Sequence, residues 1–280
     1  MENNYWIIDN WLIFKPNFSL NLNEYYDIIN RYENIMFSNI NEPLIEIETN
    51  NEIKGSNNYF YSIFNREINL SNNINLINLT FGYNFNKEVD LSNNINLTHL
   101  TFGSCFNQKI DLSNNINLKY LIFDYFFNQE INLSNNINLK HLTFAFWFNQ
   151  EIDLSNNINL IYLEFGTCFN QEMNIPLNLK SLNMNGCNNQ YIIDNLHNNI
   201  EELKICNNEL NLDNLPNSIK KLYIKYYNKD LNNLPNSIEY LELNNYNLKI
   251  KKIPKNLKTV KCDENYPYIN DFKDYEVVYN

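Results

Sequence analysis

The sequence predicts a mainly β repeat solenoid, and three observations support this fold class. Asparagine accounts for 64 of the 280 residues, whereas glycine accounts for only 5. Apolar residues such as Leu79 and Phe81 recur every 21 residues in the first repeats. A seven-residue segment, LSNNINL, recurs every 21 residues, beginning at Leu70, Leu91, Leu112, Leu133 and Leu154. Because one such unit cannot bury its own apolar side, stacked units that share a continuous core are expected.

Each unit is predicted to contain one short strand, because apolar and polar residues alternate around Leu79 and its equivalents. After Phe169 the interval between equivalent residues shortens to 19 in several units. Counting all equivalents gives ten strand positions from Leu79 to Val260. The polar NNIN segment is expected to turn the chain. Units of 19–21 residues leave little room for a helix on the convex side, so extended or 3₁₀ segments are predicted there. Stacked in this way, the strands form a parallel sheet.

Seven side chains are predicted to point into the core of the second repeat, which spans residues 97–116. They are the apolar residues Leu97, Leu100, Phe102, Phe106, Ile110, Leu112 and Ile116.

The repeating pattern L-x-x-L-x-Φ, as in Leu76, Leu79 and Phe81, resembles that of leucine-rich repeat (LRR) proteins. In that family an asparagine or cysteine three residues past the second strand position forms a ladder of side-chain bonds to the adjacent coils. Aromatic residues occupy this place at Phe126, Trp147, Tyr227 and Tyr246 and are expected to interrupt the ladder. The resemblance implies a structural ladder at Asn84, Cys105, Cys168, Cys187 and Asn208.

The runs LTFGYNFNKEVDL, LTFGSCFNQKIDL and LEFGTCFNQEMNI narrow the resemblance to the FNIP repeats of amoebal and giant-virus proteins. This likeness is strong over residues 60–190 and weaker over 210–260. Members of that family often carry an N-terminal F-box that links them to ubiquitin ligases. The resemblance therefore implies, as an alternative function, a substrate-recognition subunit of a ubiquitin ligase that would use residues 1–56.

Three segments are predicted along the chain. Residues 1–56 do not repeat and are expected to form a small α+β N-terminal cap or a separate recruitment module. A helix is predicted over Asn23–Tyr32, with strands at Ile35–Phe37 and Leu44–Ile47. The solenoid of about ten coils follows over 57–266, and residues 267–280 are expected to cap its other end.

Composition excludes several classes of function. The net charge of −11 argues against binding nucleic acid or an anionic membrane surface. Scarce glycine, three scattered histidines and five cysteines without a CxxC motif provide no cofactor, metal or catalytic constellation. We therefore expect no enzyme and no cofactor. The absence of a signal peptide, of a membrane span and of an even cysteine set predicts an intracellular, cytoplasmic location in the cell that contains it.

The expected function is a protein-protein interaction scaffold whose partner is a protein of unknown identity, with a homo-oligomer through the solenoid edge or ends as a further expectation. Outward strand positions vary while core positions stay constant, so the concave face is the candidate binding surface. Rigid exposed aromatic residues suit protein contacts, although ordinary variation in an aromatic-rich chain is the alternative explanation. The candidate protein-binding residues are Tyr120, Tyr125, His141, Phe146 and Tyr162.

Overall fold

The computed structural model describes residues 4–39, 61–207 and 209–280. It divides into two compact units, Met1–Ala145 and Phe146–Asn280, called here the first and the second unit. The predicted strand Leu44–Ile47 and ladder residue Asn208 lie outside the described residues. The predicted segment boundaries at 56/57 and 266/267 stay predictions.

The first unit contains seven strands among its described residues. β1 and β2 form an antiparallel hairpin, and every later neighbour pair from β2 to β7 is parallel. A 3₁₀ turn at Leu22–Glu24 and a helix at Tyr26–Ile29 replace the longer helix predicted over Asn23–Tyr32. The strands are β1 (Tyr5–Ile8), β2 (Trp11–Phe14), β3 (Asn34–Phe37), β4 (Asn78–Thr80), β5 (His99–Phe102), β6 (Tyr120–Phe123) and β7 (His141–Phe144).

The second unit also contains seven strands among its described residues. Neighbours from β8 to β14 pair in parallel. A five-residue helix at Gln190–Asp194 begins after Asn189, whose side-chain oxygen accepts from the backbone N–H of Ile192, and a 3₁₀ turn spans Ile269–Phe272. The strands are β8 (Tyr162–Phe165), β9 (Ser181–Met184), β10 (Glu202–Ile205), β11 (Lys221–Lys225), β12 (Tyr240–Asn244), β13 (Thr259–Cys262) and β14 (Glu276–Tyr279).

The predicted fold class is confirmed. Strands β4 to β13 are the ten predicted strand positions, and helices are few and short among the described residues. None of these helices is long and apolar enough to cross a membrane. The hairpin of β1 and β2 is an element that the repeat pattern did not predict.

The core of the first unit is built from stacked phenylalanine and leucine rows. Phe102 stacks on Phe81 and on Phe123, with ring centroids 5.4 Å apart in both pairs, and it also stacks on Phe106 at 3.8 Å. The strand leucine Leu121 is fully buried. Since each ring has a neighbour in the coil before and the coil after, the apolar core is continuous along the unit.

The predicted inward set is correct at five of its seven positions and wrong at Ile116. Leu97, Leu100, Phe102, Phe106 and Leu112 are buried. Ile110 is half-buried, and Ile116 is 50% exposed. The buried residue of this turn is the preceding Asn115, which is 0% exposed. Hydrogen bonding to the adjacent coil explains why a polar residue takes the inward place.

The buried asparagines form a ladder of side-chain donors. The Asn115 Nδ2 group donates to the backbone oxygens of Leu91 and Asn94, both at 3.0 Å. Asn94 makes the equivalent pair of bonds to Leu70 at 3.1 Å and Asn73 at 2.7 Å. Each amide nitrogen therefore satisfies two buried carbonyl groups of the coil before it. The side-chain oxygens of Asn94 and Asn115 are buried and accept no hydrogen bond within the described part of the chain.

Other asparagines of the repeat form further ladders on its surface. Asn117 Nδ2 donates to the Ile95 oxygen at 2.9 Å, and Asn114 Nδ2 donates to the Ser92 oxygen at 3.3 Å. On another side of the coil, Asn107 Oδ1 accepts from the backbone N–H of Asn128 at 2.9 Å and from Gln129 at 3.1 Å. The high asparagine content thus has a structural role, because these side chains bond one coil to the next.

The second unit uses tyrosine hydroxyls in a comparable way. Tyr227 is buried and its hydroxyl donates to the Leu210 oxygen at 3.0 Å; Tyr246 donates to Lys229 at 3.2 Å. Burial raises the pKa of each phenol to about 12. The expectation that tyrosine interrupts the ladder at these two positions is therefore wrong, because a phenol has both an apolar ring for the core and a donor for the adjacent coil.

Candidate functional site

The candidate site in the first unit is the outward face of its parallel sheet. The register aligns Asn78, His99, Tyr120 and His141 in one row that crosses the strands. Strand residues alternate between the two faces, so these side chains lie opposite the buried leucine row. The residues in this row differ from coil to coil, whereas the buried row is leucine throughout β4 to β7.

Three rings of this row stack on one another. The Tyr120 ring lies 4.3 Å from the His99 ring and 4.5 Å from the His141 ring, with interplanar angles of 8° and 14°. The strand spacing of about 4.8 Å places the rings at stacking distance. Because each ring restricts its neighbour, the stack is a preorganised surface with little rotamer freedom to lose on binding.

Partial burial lowers the pKa of both histidines. For His99, the nearby Lys119 ammonium and His141 lower the pKa further; for His141, Lys140 does so. The neutral imidazole is therefore the favoured form at neutral pH. In this state the stack carries no charge, and Nδ1 of His99 lies 2.8 Å from the Thr98 hydroxyl, which fixes one edge of this ring.

Acidification is expected to lower the melting temperature of the protein through these histidines. The unfolded chain has histidine pKa values near 6.5, above the folded values, so it takes up protons first. Stability present above about pH 7 should therefore fall as the pH drops through 6.5 towards the folded pKa values. The measurement is the melting temperature at about pH 7.5 and about pH 5.5. In a His99→Gln, His141→Gln variant the difference between the two pH values should be smaller, and an equal difference would contradict the assignment.

Exposed aromatic residues also follow the strands of the first unit. Tyr125 and Phe126 are 39% and 43% exposed and contact each other edge to face. Tyr61 and Tyr83 lie with ring centroids 4.1 Å apart. Of the predicted binding residues, Tyr120 and His141 thus lie in the stacked row, and Tyr125 lies in the turn that follows β6.

The other two predicted residues, Phe146 and Tyr162, belong to the second unit. Phe146 packs edge to face on Trp147, which is 45% exposed. Tyr162 lies on β8, and its hydroxyl donates to the Glu164 carboxylate at 2.6 Å. A tyrosine with its hydroxyl already bound to a carboxylate presents an acidic hydrogen-bonded pair rather than a free phenol.

The outward face of the second unit places charged side chains beside its tyrosines. Tyr240 repeats the arrangement of Tyr162, donating to Glu242 at 3.0 Å, and burial together with this carboxylate raises the pKa of its phenol. The Lys204 ammonium lies 5.0 Å from the centre of the Tyr223 ring and 3.4 Å from Glu202. The spacing Tyr-x-Glu at 162–164 and 240–242 is the sequence signal that could have identified these pairs.

The predicted ladder residues bond in different ways. Asn84 Nδ2 donates to the Ser62 oxygen at 2.8 Å, and the buried Cys187 thiol donates to the Phe169 oxygen at 3.1 Å. The Cys105 sulfur is 3.9 Å from Asn84 Oδ1, which is a weak contact. Burial raises the pKa of Cys187 to about 12. Cys168 is half-buried and is not part of a disulfide, and its backbone N–H donates to the backbone oxygen of Phe146 at 3.0 Å.

The described part of the chain contains no group of three or more His, Cys, Asp or Glu side chains that could hold a metal ion. The geometry on the outward faces is instead that of a rigid surface with stacked rings, carboxylates and ammonium groups. Such a surface can bind another molecule through area and hydrogen bonds.

Comparison with known proteins agrees with this architecture. Residues 206–246 match the family model described as the FNIP repeat. Over this stretch the chain is similar to an FNIP repeat. The match lies in the second unit, in the weaker of the two segments that resemble this family in sequence. No curated protein matches the chain.

Two solved structures are similar to the chain. CroV588 of the giant virus CroV, described as a novel circular LRR protein, is 29% identical over 94% of this chain, with a TM-score of 0.63. The chain spans only 45% of that protein. An internalin, InlF, from Listeria monocytogenes is 18% identical, with a TM-score of 0.57 over 96% of this chain and 86% of that chain, which shows the fold alone. The resemblance to FNIP and LRR repeat proteins is confirmed, and such scaffolds typically serve protein-protein interaction.

Proposed function

We propose that this protein is a non-enzymatic scaffold that binds a protein partner through the outward faces of its sheets. The observation that supports this best is the stacked row of His99, Tyr120 and His141, in which outward residues change between coils while the leucine core does not. Coil architecture alone does not require rings at these positions, since β4 has Asn78 at the same place. Preorganised aromatic residues are the side chains that most often dominate binding energy at protein interfaces.

Alanine substitutions in each unit test the proposal. Tyr120→Ala with His141→Ala in the first unit, or Phe146→Ala with Tyr162→Ala in the second, should weaken partner binding. A hot-spot aromatic contributes about 2 kcal/mol or more, which corresponds to about a 30-fold loss of affinity. The measurement is quantitative recovery of bound proteins from a lysate of cells that express the protein, compared by mass spectrometry.

The matched control is Tyr191→Ala, which removes a tyrosine that is 37% exposed on the short helix of the second unit, away from the strands. Proteins retained by the control and lost by either double variant support the proposal. If both double variants recover the same proteins in the same amounts as the unaltered chain, the outward faces are not the binding surface.

The narrower role, substrate recognition for a ubiquitin ligase through residues 1–56, stays a prediction from the family resemblance. Part of this segment belongs to the sheet, because β3 pairs with β4 from Asn34 to Met36. Deleting residues 1–56 would therefore expose the solenoid core as well as remove a recruitment surface. Surface substitutions such as Ile7→Asn, at a residue that is 50% exposed on β1, are the better test, and loss of ligase components from the recovered proteins is the expected result.

A further inference from the structure

Two lysines on adjacent coils of the first unit carry charges that the described chain does not neutralise. Lys119 and Lys140 each directly precede a strand, and the backbone N–H of Lys140 donates to the Lys119 oxygen at 2.8 Å. Both side chains are exposed, and neither ammonium group forms an ion pair with a described residue. Because neighbouring coils are about 4.8 Å apart, the two positive charges repel each other. These residues are called here the lysine pair.

The equivalent position in the second unit carries charges of alternating sign. Glu201 lies between Lys180 and Lys220 in the same backbone ladder, and its carboxylate accepts from the two ammonium groups at 3.0 and 2.8 Å. Glu239 and Lys258 continue the alternation with an ion pair of 2.6 Å. The fold of a coil thus accommodates a carboxylate beside such lysines. In the first unit the lysine pair lacks this neutralising neighbour, which points to an acid from another molecule.

The lysine pair borders the stacked rings on a face that has no acid of its own. One ammonium group lies close enough to His99, and the other close enough to His141, to lower the pKa of that imidazole. Strands β5, β6 and β7 and the residues directly before them contain no aspartate or glutamate. The next carboxylate along the chain, that of Asp124, follows β6 at its other end and accepts a hydrogen bond from the Ser104 hydroxyl. Positive charge and aromatic surface therefore occur side by side.

We propose that the lysine pair and the stacked rings form one docking site for an acidic segment of a protein partner, with an aspartate or glutamate side chain between the two ammonium groups. This inference rests on the proposed function, because it takes the outward face of the first unit as the binding surface and names the chemistry of its partner. The bound carboxylate receives charge-assisted hydrogen bonds from both lysines, as Glu201 does in the second unit, and removes their repulsion. An apolar or aromatic side chain next to it packs on the Tyr120 ring.

Fluorescence anisotropy with defined peptides tests the proposal. The probes are a labelled peptide that repeats the segment Glu-Glu-Tyr-Tyr and the same peptide with glutamine in place of glutamate. The unaltered chain should bind the acidic peptide at least about tenfold more tightly than the glutamine peptide. Because salt screens exposed charges, the affinity for the acidic peptide should fall several-fold between about 25 and about 150 mM NaCl.

Substitution of the lysine pair should remove this preference. Lys119→Gln with Lys140→Gln should reduce the affinity for the acidic peptide at least about tenfold. The matched control is Lys87→Gln with Lys109→Gln, which removes two exposed lysines of the same unit away from the strands and should leave the affinity unchanged. Since the first variant removes a repulsion between adjacent coils, it should also melt no lower than the unaltered chain.

Several outcomes would overturn the proposal. Equal affinity for the two peptides, or an equal loss in the control variant, excludes a site made by the lysine pair. A lower melting temperature of the lysine-pair variant assigns these residues a structural role instead. Equally tight binding of a single-stranded oligothymidylate, lost with the lysines, assigns the site to nucleic-acid phosphates.

Lysate recovery distinguishes failure of this site from failure of the proposed function. Proteins that the lysine-pair variant retains and the Tyr120→Ala, His141→Ala variant loses would overturn the acidic partner and leave the scaffold function standing. If these variants and the double variant of the second unit all recover the same proteins as the unaltered chain, both proposals fail.

Discussion

Asn115→Asp is expected to destabilise the first unit by several kcal/mol. The Asn115 side chain is fully buried, and its Nδ2 group donates to the carbonyl oxygens of Leu91 and Asn94. Aspartate has the same shape but no donor, so two buried carbonyl groups lose their partner and face a carboxylate oxygen about 3 Å away. Burial of an unpaired charge costs several kcal/mol, and each lost donor adds about 1–3 kcal/mol. The measurement is thermal or urea unfolding followed by circular dichroism.

The adjacent residue provides the control for this substitution. Asn114 is exposed and makes one bond of 3.3 Å to Ser92, so Asn114→Asp should change the free energy of unfolding by less than about 1 kcal/mol. If the two aspartate variants melt at the same temperature, the inward direction of the Asn115 amide is wrong. A large effect for Asn115 alone would show that the second asparagine of the NNIN segment is a core residue.

Leu121→Asp should have a comparable or larger effect. Leu121 is 0% exposed at the centre of β6, and its neighbours in the register are Leu100 and Leu142. The substitution removes an apolar side chain, at about 2–5 kcal/mol, and adds an unpaired buried carboxylate. Stability of a solenoid depends on contacts between neighbouring coils, so the loss spreads to both sides of β6. We expect unfolding of the first unit at room temperature or a fall of its melting temperature by tens of degrees.

Ile122→Asp is the matched control, because it makes the same kind of change one residue further along the same strand. Ile122 is half-buried on the outward face of the sheet, where a carboxylate stays in contact with water. Its effect should be at most about 1–2 kcal/mol. A Leu121 variant that melts no lower than the Ile122 variant would contradict the assigned faces of β6.

Periodicity identified the strands because it reports the one feature that every coil shares. Leucines such as Leu79 and Leu163 must be buried in each coil, so the repeat preserves them and the pattern shows them directly. The phenylalanine row at Phe85 and Phe106 follows the same logic, and these rings are buried. Residue type therefore predicted the leucine and phenylalanine positions of the core correctly.

Prediction of burial from residue type was wrong in the turns, where a polar residue is buried and the apolar residue next to it is exposed. Ile116 is exposed and Asn115 is buried, because the backbone carbonyl groups inside the turn need donors that isoleucine lacks. Tyr227 and Tyr246 were expected to break a ladder, yet each hydroxyl completes it. Hydropathy ranks residues by their preference for water and contains no information about which carbonyl groups lack a partner.

The candidate site was predictable in part. Outward positions on β5 to β7 followed from strand alternation, so Tyr120 and His141 were placed on the correct face. The stacking of Tyr120 between two imidazoles depends on the register of three strands that are 21 residues apart in sequence. The pairing of Tyr162 with Glu164 depends on rotamers that no repeat pattern specifies.

For this protein, the 19–21-residue period by itself determines the mainly β solenoid, its parallel strands and its ten central coils, because burial of a repeated apolar face has few other solutions. The tertiary structure alone decided the inward direction of the buried asparagine side chains, the exposure of turn residues such as Ile116, the histidine–tyrosine stack and the charged pairs of the second unit. These features arise between coils, from distances of about 3–5 Å across strands and turns. Sequence reports which residues each coil contains, and only the packed coils show which atoms of neighbouring coils meet.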